Sequence, residues 1–233
     1  MAQAYAFIGP DMETPFMDSR NEKKYISKAI INRLPRYYRY LGELKAKGVE
    51  RISSSELSSI MNVTASQIRQ DLNNFGGFGQ QGYGYNVDYL HDEIGKILGI
   101  DRPHKIVTVG AGNLGSALSG YQNFPRYGFN IMAMFDNDEA KIGSVIHGIP
   151  VLPVSGIVDY INENDIEIVI LAIPKDAARE LLHELEKTNI RGVWNFAHTD
   201  FEMPGGVVVE NVHLSESLMR LSYEIANPGE PVS

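Results

Sequence analysis

The stretch from Lys105 to Asp136 constrains the fold more than any other, because it orders a strand, a glycine-cornered turn, a helix and a second strand ending in an acid. Lys105–Val109 is a short run rich in β-branched residues. Gly110, Ala111, Gly112, Asn113, Leu114 and Gly115 follow at once and open a helical segment that ends near Tyr121. In that context a G-x-G-x-x-G sequence reads as a dinucleotide-binding turn. Gly110 is expected to allow the tight turn, Gly112 to let the backbone approach a pyrophosphate, and Gly115 to let helix and strand pack closely. The phosphates would meet the free N–H groups of the helix N-terminus, where the macrodipole favours negative charge. Asp136 stands 21 residues after Gly115, at the end of the apolar run from Phe129 to Phe135. A carboxylate there can accept from both ribose hydroxyls and would repel a 2′-phosphate. NADH and NAD+ are therefore the expected ligands, in preference to their 2′-phosphorylated forms.

The 233 residues include no cysteine, which excludes a disulfide framework and a thiolate metal site and fits a reducing cytoplasm. Apolar runs such as Ile166 to Pro174, with its internal Glu167, are too short and too charged to span a bilayer. No secretory signal pattern is present either, so a soluble cytoplasmic protein with no membrane partner is expected. The net charge of -8 conceals an asymmetry: residues 20–90 carry 11 Lys/Arg and 6 Asp/Glu, whereas residues 91–233 carry 10 and 20. A basic module joined to an acidic one suggests a polyanion partner for the first and a small ligand or protein partner for the second.

Residues 1–24 hold no sustained period and read as a mobile tail. From Tyr25 the apolar residues recur at helical spacing, through Ile26, Ala29, Ile30, Leu34, Tyr37, Tyr38, Leu41 and Leu44. Pro35 is expected in the first turn of the principal helix and Gly48 at its close. Two capping boxes follow, Ser53 with Glu56 and Thr64 with Gln67, about three residues apart as helices and therefore spaced as a helix-turn-helix. With Ile68, Leu72 and Phe75 inward, Ser66, Gln67, Arg69, Gln70 and Asn73 lie toward the opposite face, where they could reach base edges and phosphates. Arg69 is the foremost candidate. Residues 76–85 then hold five glycines and three aromatics, a composition suited to a β-hairpin wing, with Gln80, Gln81, Tyr83 and Tyr85 as further DNA contacts. A winged helix-turn-helix domain over residues 25–90 is expected.

Six motifs in one order resemble the redox-sensing transcriptional repressor Rex family of bacteria. They are Arg33-Leu-Pro-Arg-Tyr-Tyr-Arg39, Ser53-Ser-Ser-Glu-Leu57, Gln67-Ile-Arg-Gln-Asp-Leu72, Gly82-Tyr-Gly-Tyr85, the Gly110 to Gly115 turn, and Trp194-Asn-Phe-Ala197. The resemblance runs from about residue 24 to the C-terminus. It implies a homodimer that binds a palindromic operator in double-stranded DNA when NADH is scarce and leaves it when NADH binds, with the cofactor an effector and not a redox substrate. In the family a basic residue often follows the recognition-helix arginine and others lie in the wing. Gln70, Gln80 and Gln81 stand there instead, so fewer phosphates are neutralised and binding should be less salt-sensitive. A polar switch in some relatives matches Arg39, Tyr121 and His213. His213 departs from the aspartate of that pattern and cannot accept charge-assisted bonds from Arg39.

Beyond residue 100 the chain alternates short apolar runs with helical patterns at Ser155 to Asn162 and Lys175 to Thr188. This predicts an α/β unit over residues 100–213, a Rossmann-like doubly wound parallel sheet covered on both faces. Ligands of such sheets lie beyond the carboxyl ends of the strands, which places Ala172, Pro174, Asn195 and Phe196 near the cofactor. A closing helix over residues 214–227 carries Leu214, Leu218, Leu221 and Ile225 on one stripe; the resemblance implies that it crosses into the partner subunit. Two other classes compete. A dehydrogenase would need a proton donor beside the nicotinamide, and His147, His183, His198 and His213 stand in no catalytic motif; the expectation is that the chain is not an enzyme. A CoA-type ligand on the same sheet is the third reading.

Overall fold

The computed structural model describes residues 14–17, 23–76, 78–80 and 83–228. The chain forms two compact units, Met1–Asp101 and Arg102–Ser233. In the first, β1 (Thr14–Met17) and β2 (Lys23–Ile26) pair antiparallel where a structureless tail was expected. Ile26 is buried in the core of the unit, which fixes one end of this hairpin. Residues 1–13 and 18–22, also assigned to that tail, lie outside the described residues.

Helix α1 (Lys28–Ala46) begins after Ser27, so Pro35 stands inside it and not in its first turn. An interior proline forfeits one backbone hydrogen bond. Burial of Leu34, Tyr37 and Leu41 along one stripe carries the helix through it. At its end the Gly48 N–H reaches Lys45 and the Val49 N–H reaches Leu44, the pair of bonds of a Schellman motif. Strand β3 (Arg51–Ile52) leads to α2 (Ser54–Met61), where Ser53 and Glu56 complete the expected capping box. Helix α3 (Ala65–Asn73) is capped by the Thr64 hydroxyl through the Gln67 N–H. The return bond is absent, because the Gln67 side chain bonds Asp71 instead. Arg36 of α1 donates to the Met61 carbonyl, satisfying the open C-terminal end of α2. Strands β4 (Gly79–Gln80) and β5 (Gly84–Asn86) form the wing and extend to a small sheet in the order β3-β5-β4. Helix α4 (Val87–Ile97), capped by Asn86, then buries Val87, Leu90 and Ile94 in the same core, so the unit runs past the expected boundary at residue 90.

The second unit is a seven-stranded sheet. Its strands are β6 (His104–Val109), β7 (Phe129–Asp136), β8 (Val145–Ile146), β9 (Ile149–Pro153), β10 (Ile168–Leu171), β11 (Gly192–Asn195) and β12 (Val208–Asn211). The order β12-β11-β10-β6-β7-β9-β8 is parallel except for the terminal β8, which pairs antiparallel with β9. Helix α5 (Asn113–Ser119) packs on one face through Leu114 and Leu118. Helices α6 (Ile157–Asn164) and α7 (Lys175–Leu185) bury Ile157, Ile161, Leu181 and Leu185 on the other. Chain order reverses between β6 and β10, which makes their carboxyl ends the switch point where ligands bind in such sheets. Helix α8 (Leu214–Ala226) closes the chain with no buried residue.

Ser53→Ala should lower the unfolding free energy of the first unit by about 1 kcal/mol, the usual cost of an N-cap. A urea titration followed by circular dichroism, compared with the unaltered chain, measures it.

Candidate functional site

Two of the three glycines in the turn between β6 and α5 stand where a side chain would collide with backbone. Gly110 adopts φ +98°, and a Cβ there would lie 2.5 Å from the Ala172 carbonyl oxygen. At Gly115 a Cβ would lie 1.8 Å from the Gly110 oxygen, so helix and turn touch backbone to backbone. Gly112, the N-cap of α5, has an ordinary φ of -81° and would point a Cβ into open space. The space that a side chain would fill at that position is open to a ligand. No side chain caps α5, so its first N–H groups face out as donors suited to an anion. Leu114 is turned under the sheet, and its backbone alone is available for binding.

Asp136 ends β7 beside this turn with 8% of its surface exposed. The Ala111 N–H donates to its Oδ2 at 2.7 Å and the Asp138 N–H to its Oδ1 at 2.9 Å. Lys141 Nζ lies 3.3 Å from Oδ2. Burial works to raise the Asp136 pKa, but these donors outweigh it and hold the value below the ordinary one, so the group is a carboxylate at neutral pH. A cleft of about 540 Å³ opens between Gly110, Asp136, Val154, Ile157 and Pro174. Its apolar walls suit a flat heteroaromatic ring, and its acid suits ribose hydroxyls. Val154, Ile157 and Val158 were not anticipated as cleft residues, since their spacing looks like that of any core helix.

The other expected nucleotide residues divide. Ala172 and Pro174 flank the cleft at the end of β10. Asn195 is fully buried and already spent: its amide donates to the Thr199 carbonyl and to Asn211 Oδ1, and its own oxygen accepts from the Ala197 N–H. Phe196 packs against Trp194 under the sheet. Both therefore brace a loop and present no side chain to the cleft. Tyr121, half exposed and set edge-to-face on Phe124, lines a second, more polar cleft with His147 and Asn130.

On α3, Ser66, Arg69, Gln70 and Asn73 are exposed as expected. Arg69 Nη1 donates to the Ser54 hydroxyl at 2.9 Å, which holds the guanidinium over the start of α2. Gln67 is committed to Asp71, a fully buried acid absent from the expected site. Tyr83 is exposed on the wing, but Tyr85 is buried in the core of the unit and cannot reach a groove. Nothing is described of the Gln80 side chain, and Gln81 lies outside the described residues. Arg39 is exposed with its guanidinium 5.0 Å from the Tyr40 ring centre. His213 Nε2 sits 2.7 Å from Asp200 Oδ1, and that bond raises its pKa above the ordinary imidazole value. Among the described residues no cluster suits a metal ion, and no helix is long and apolar enough to cross a membrane.

Residues 25–73 match a sequence family described as "Putative DNA-binding protein N-terminus", and residues 101–199 match one described as "CoA binding domain". The chain is 58% identical over 200 residues to a redox-sensing transcriptional repressor Rex of Clostridioides difficile (strain 630), covering 86% of this chain and 95% of that one. A protein of the same description from Clostridium botulinum is 52% identical over 202 residues, covering 87% and 96%. The crystal structure of RSP with beta-NAD+ and operator DNA matches with a TM-score of 0.83 at 50% identity, covering 87% of this chain and 94% of that one. RSP with beta-NADH matches with a TM-score of 0.78 at 48% identity, covering 86% and 94%.

Two measurements follow from this geometry. Gly112→Ala should leave stability within about 0.5 kcal/mol yet lose at least tenfold in NADH affinity, whereas Gly115→Ala should lose more than about 3 kcal/mol of stability. Calorimetric titration and thermal unfolding of both proteins separate the two roles. A raised histidine pKa means that the His213–Asp200 pair is complete below about pH 6.5 and is lost as pH rises through the raised value. Asp200→Asn should move the His213 imidazole titration, followed by NMR, down toward the ordinary value.

Proposed function

The chain belongs to the redox-sensing transcriptional repressor Rex family, and on that premise we propose that it represses transcription in the cytoplasm by binding palindromic operator DNA as a homodimer and is released by NADH. The observation that carries this reading is the coexistence, in one chain, of an exposed Arg69-bearing helix within the basic stretch of residues 20–90 and a glycine turn bonded to Asp136. Ser66, Arg69, Gln70 and Asn73 would meet the DNA, with Arg69 reading a base edge. Tyr83 would follow the backbone beside the groove. Gly110 to Gly115 would hold the pyrophosphate through backbone N–H groups, and Asp136 would hold the adenosine ribose. NADH and NAD+ act as effectors that are bound and released unchanged.

The homodimer has support in two uncovered surfaces of this chain. Leu218 and Ile225 of α8 are 67% and 71% exposed, although they share one stripe with Leu214 and Leu221. The second unit also leaves an apolar hollow of about 560 Å³ on its sheet, walled by Ile106, Ile168, Ile170, Trp194 and Val208. A second copy would cover such faces, since isolated apolar stripes of this kind mark interaction sites.

A ligand shifts a conformational equilibrium only by its preference for one state. NADH must therefore bind the form that fits the operator poorly, and operator DNA must weaken NADH binding by the same factor. The experiment is fluorescence anisotropy of labelled operator with NADH, NAD+ and NADPH titrated in parallel. NADH should release the DNA, NAD+ should do so far less, and NADPH should fail because Asp136 repels its 2′-phosphate. Release by an acyl-CoA alone would favour the ligand class named by the second sequence family, and turnover of reduced cofactor would favour an enzyme.

A further inference from the structure

Two of the sequence motifs meet in the first unit around one buried acid. Asp71, on α3, is fully buried, and its two oxygens accept four donors: Arg33 Nε and Nη2, each at 2.7 Å, the Tyr37 hydroxyl at 2.9 Å and Gln67 Nε2 at 2.8 Å. Four donors use the lone-pair sites a carboxylate possesses. We propose that the Arg33–Asp71–Tyr37 cluster is a positioning device that fixes the rotation of the recognition helix α3 against α1 and thereby sets how selectively the protein reads its operator. The proposal rests on the DNA-binding reading above and names residues that touch no DNA.

Geometry supports a role in orientation over one in stability. Ile68 and Leu72 share one apolar core with Leu34, Tyr37 and Leu41, and such packing is non-directional, so it resists separation of the helices better than a small rotation of one on the other. The fork of Arg33 against the carboxylate is directional at both ends and allows one setting. A buried ion pair contributes little net stability, because desolvation offsets most of the attraction. Burial works to raise the Asp71 pKa, yet the donors hold it below the ordinary value, so the pairing operates between charges at neutral pH. The exposed readers Ser66, Arg69, Gln70 and Asn73 are on the same two-and-a-half turns as Asp71. A rotation of about 20° would carry a side-chain tip at a radius of roughly 8 Å through about 3 Å, enough to break a bidentate base contact. Gln67 belongs to this device and is not a reader.

The test uses the full chain, with Tyr37→Phe and Arg33→Lys as variants that keep the ring and the charge respectively. An operator is first selected by the unaltered protein from random duplexes. Affinity for that duplex and for a scrambled one of equal length is then measured at one salt concentration, beside thermal unfolding. Each variant should lose five- to twentyfold in the ratio of selective to scrambled affinity, with scrambled binding within twofold and unfolding still cooperative. An unchanged ratio in either folded variant overturns the proposal, as does a parallel fall of both affinities, which a loss of folded protein would produce. Gln67→Ala offers an independent reading: a relaxed preference spread over all base positions is expected, and loss confined to one base pair would make Gln67 a reader and overturn its assignment. If the unaltered protein enriches no sequence at all, the DNA-binding reading falls and this proposal falls with it.

Discussion

The second unit depends on a contact that no side chain could survive, the approach of the Gly115 α-carbon to the Gly110 carbonyl. It brings the first turn of α5 down onto the end of β6, so that the unpaired N–H groups of the helix open at the switch point of the sheet. Asp136 then ties this turn to β7 through the Ala111 N–H. One carboxylate thus braces the loop and closes the cleft where a ribose would lie. Because its charge is stabilised by two backbone N–H groups and Lys141, the acid is ready to accept hydrogen bonds before any ligand arrives. Pre-formed polarity of this kind reduces what binding must expend on reorganisation.

What was legible in the sequence was local. The capping Ser53 and Thr64, the glycine turn and the acid 21 residues beyond it are each set by backbone geometry over a few residues, and all stand where the sequence put them. The failures concern residues whose role depends on a distant partner. Gln67 and Asp71 look like surface residues of an amphipathic helix until Arg33 and Tyr37, more than 30 positions earlier, arrive beside them. Tyr85 alternates with glycine in a wing-like sequence, but pairing of β5 with β3 turns its ring into the core. Asn195 ends a strand, where ligand-binding residues of such sheets stand, yet Asn211 and Thr199 take both protons of its amide. The hairpin from β8 to β9 rests on His147 and Gly148, both at positive φ. That pair is suited to a type I′ turn but gives a weaker signal than asparagine before glycine.

The first unit is neutral overall, with 12 Lys/Arg and 12 Asp/Glu, whereas the second carries 9 and 17. The basic excess of residues 20–90 lies within the first unit, whose helices share one buried core. The second unit is unfinished by comparison. Its β11 to β12 connection supplies no helix to the sheet face opposite α6 and α7, and α8 buries nothing. Apolar surface left open on both a sheet and a helix of one chain makes association favourable by the same hydrophobic term that folds the unit.

The residues gathered at the glycine turn and Asp136 cannot by themselves discriminate a reduced from an oxidised cofactor. NADH and NAD+ share the adenosine, both riboses and the pyrophosphate, so Gly112, the α5 N–H groups and Asp136 would offer each of them the same bonds. Uniform binding of two ligands shifts no equilibrium between them. Discrimination must come from groups that meet the nicotinamide, where the oxidised ring carries a positive charge and the reduced ring does not. A hundredfold preference needs about 2.7 kcal/mol, which one or two charge-assisted hydrogen bonds or a poorly solvated cation can supply. Sensing and binding are therefore separable in this protein. The glycine turn and Asp136 would set how tightly either cofactor is held, and the few residues that meet the nicotinamide would set which one shifts the conformation.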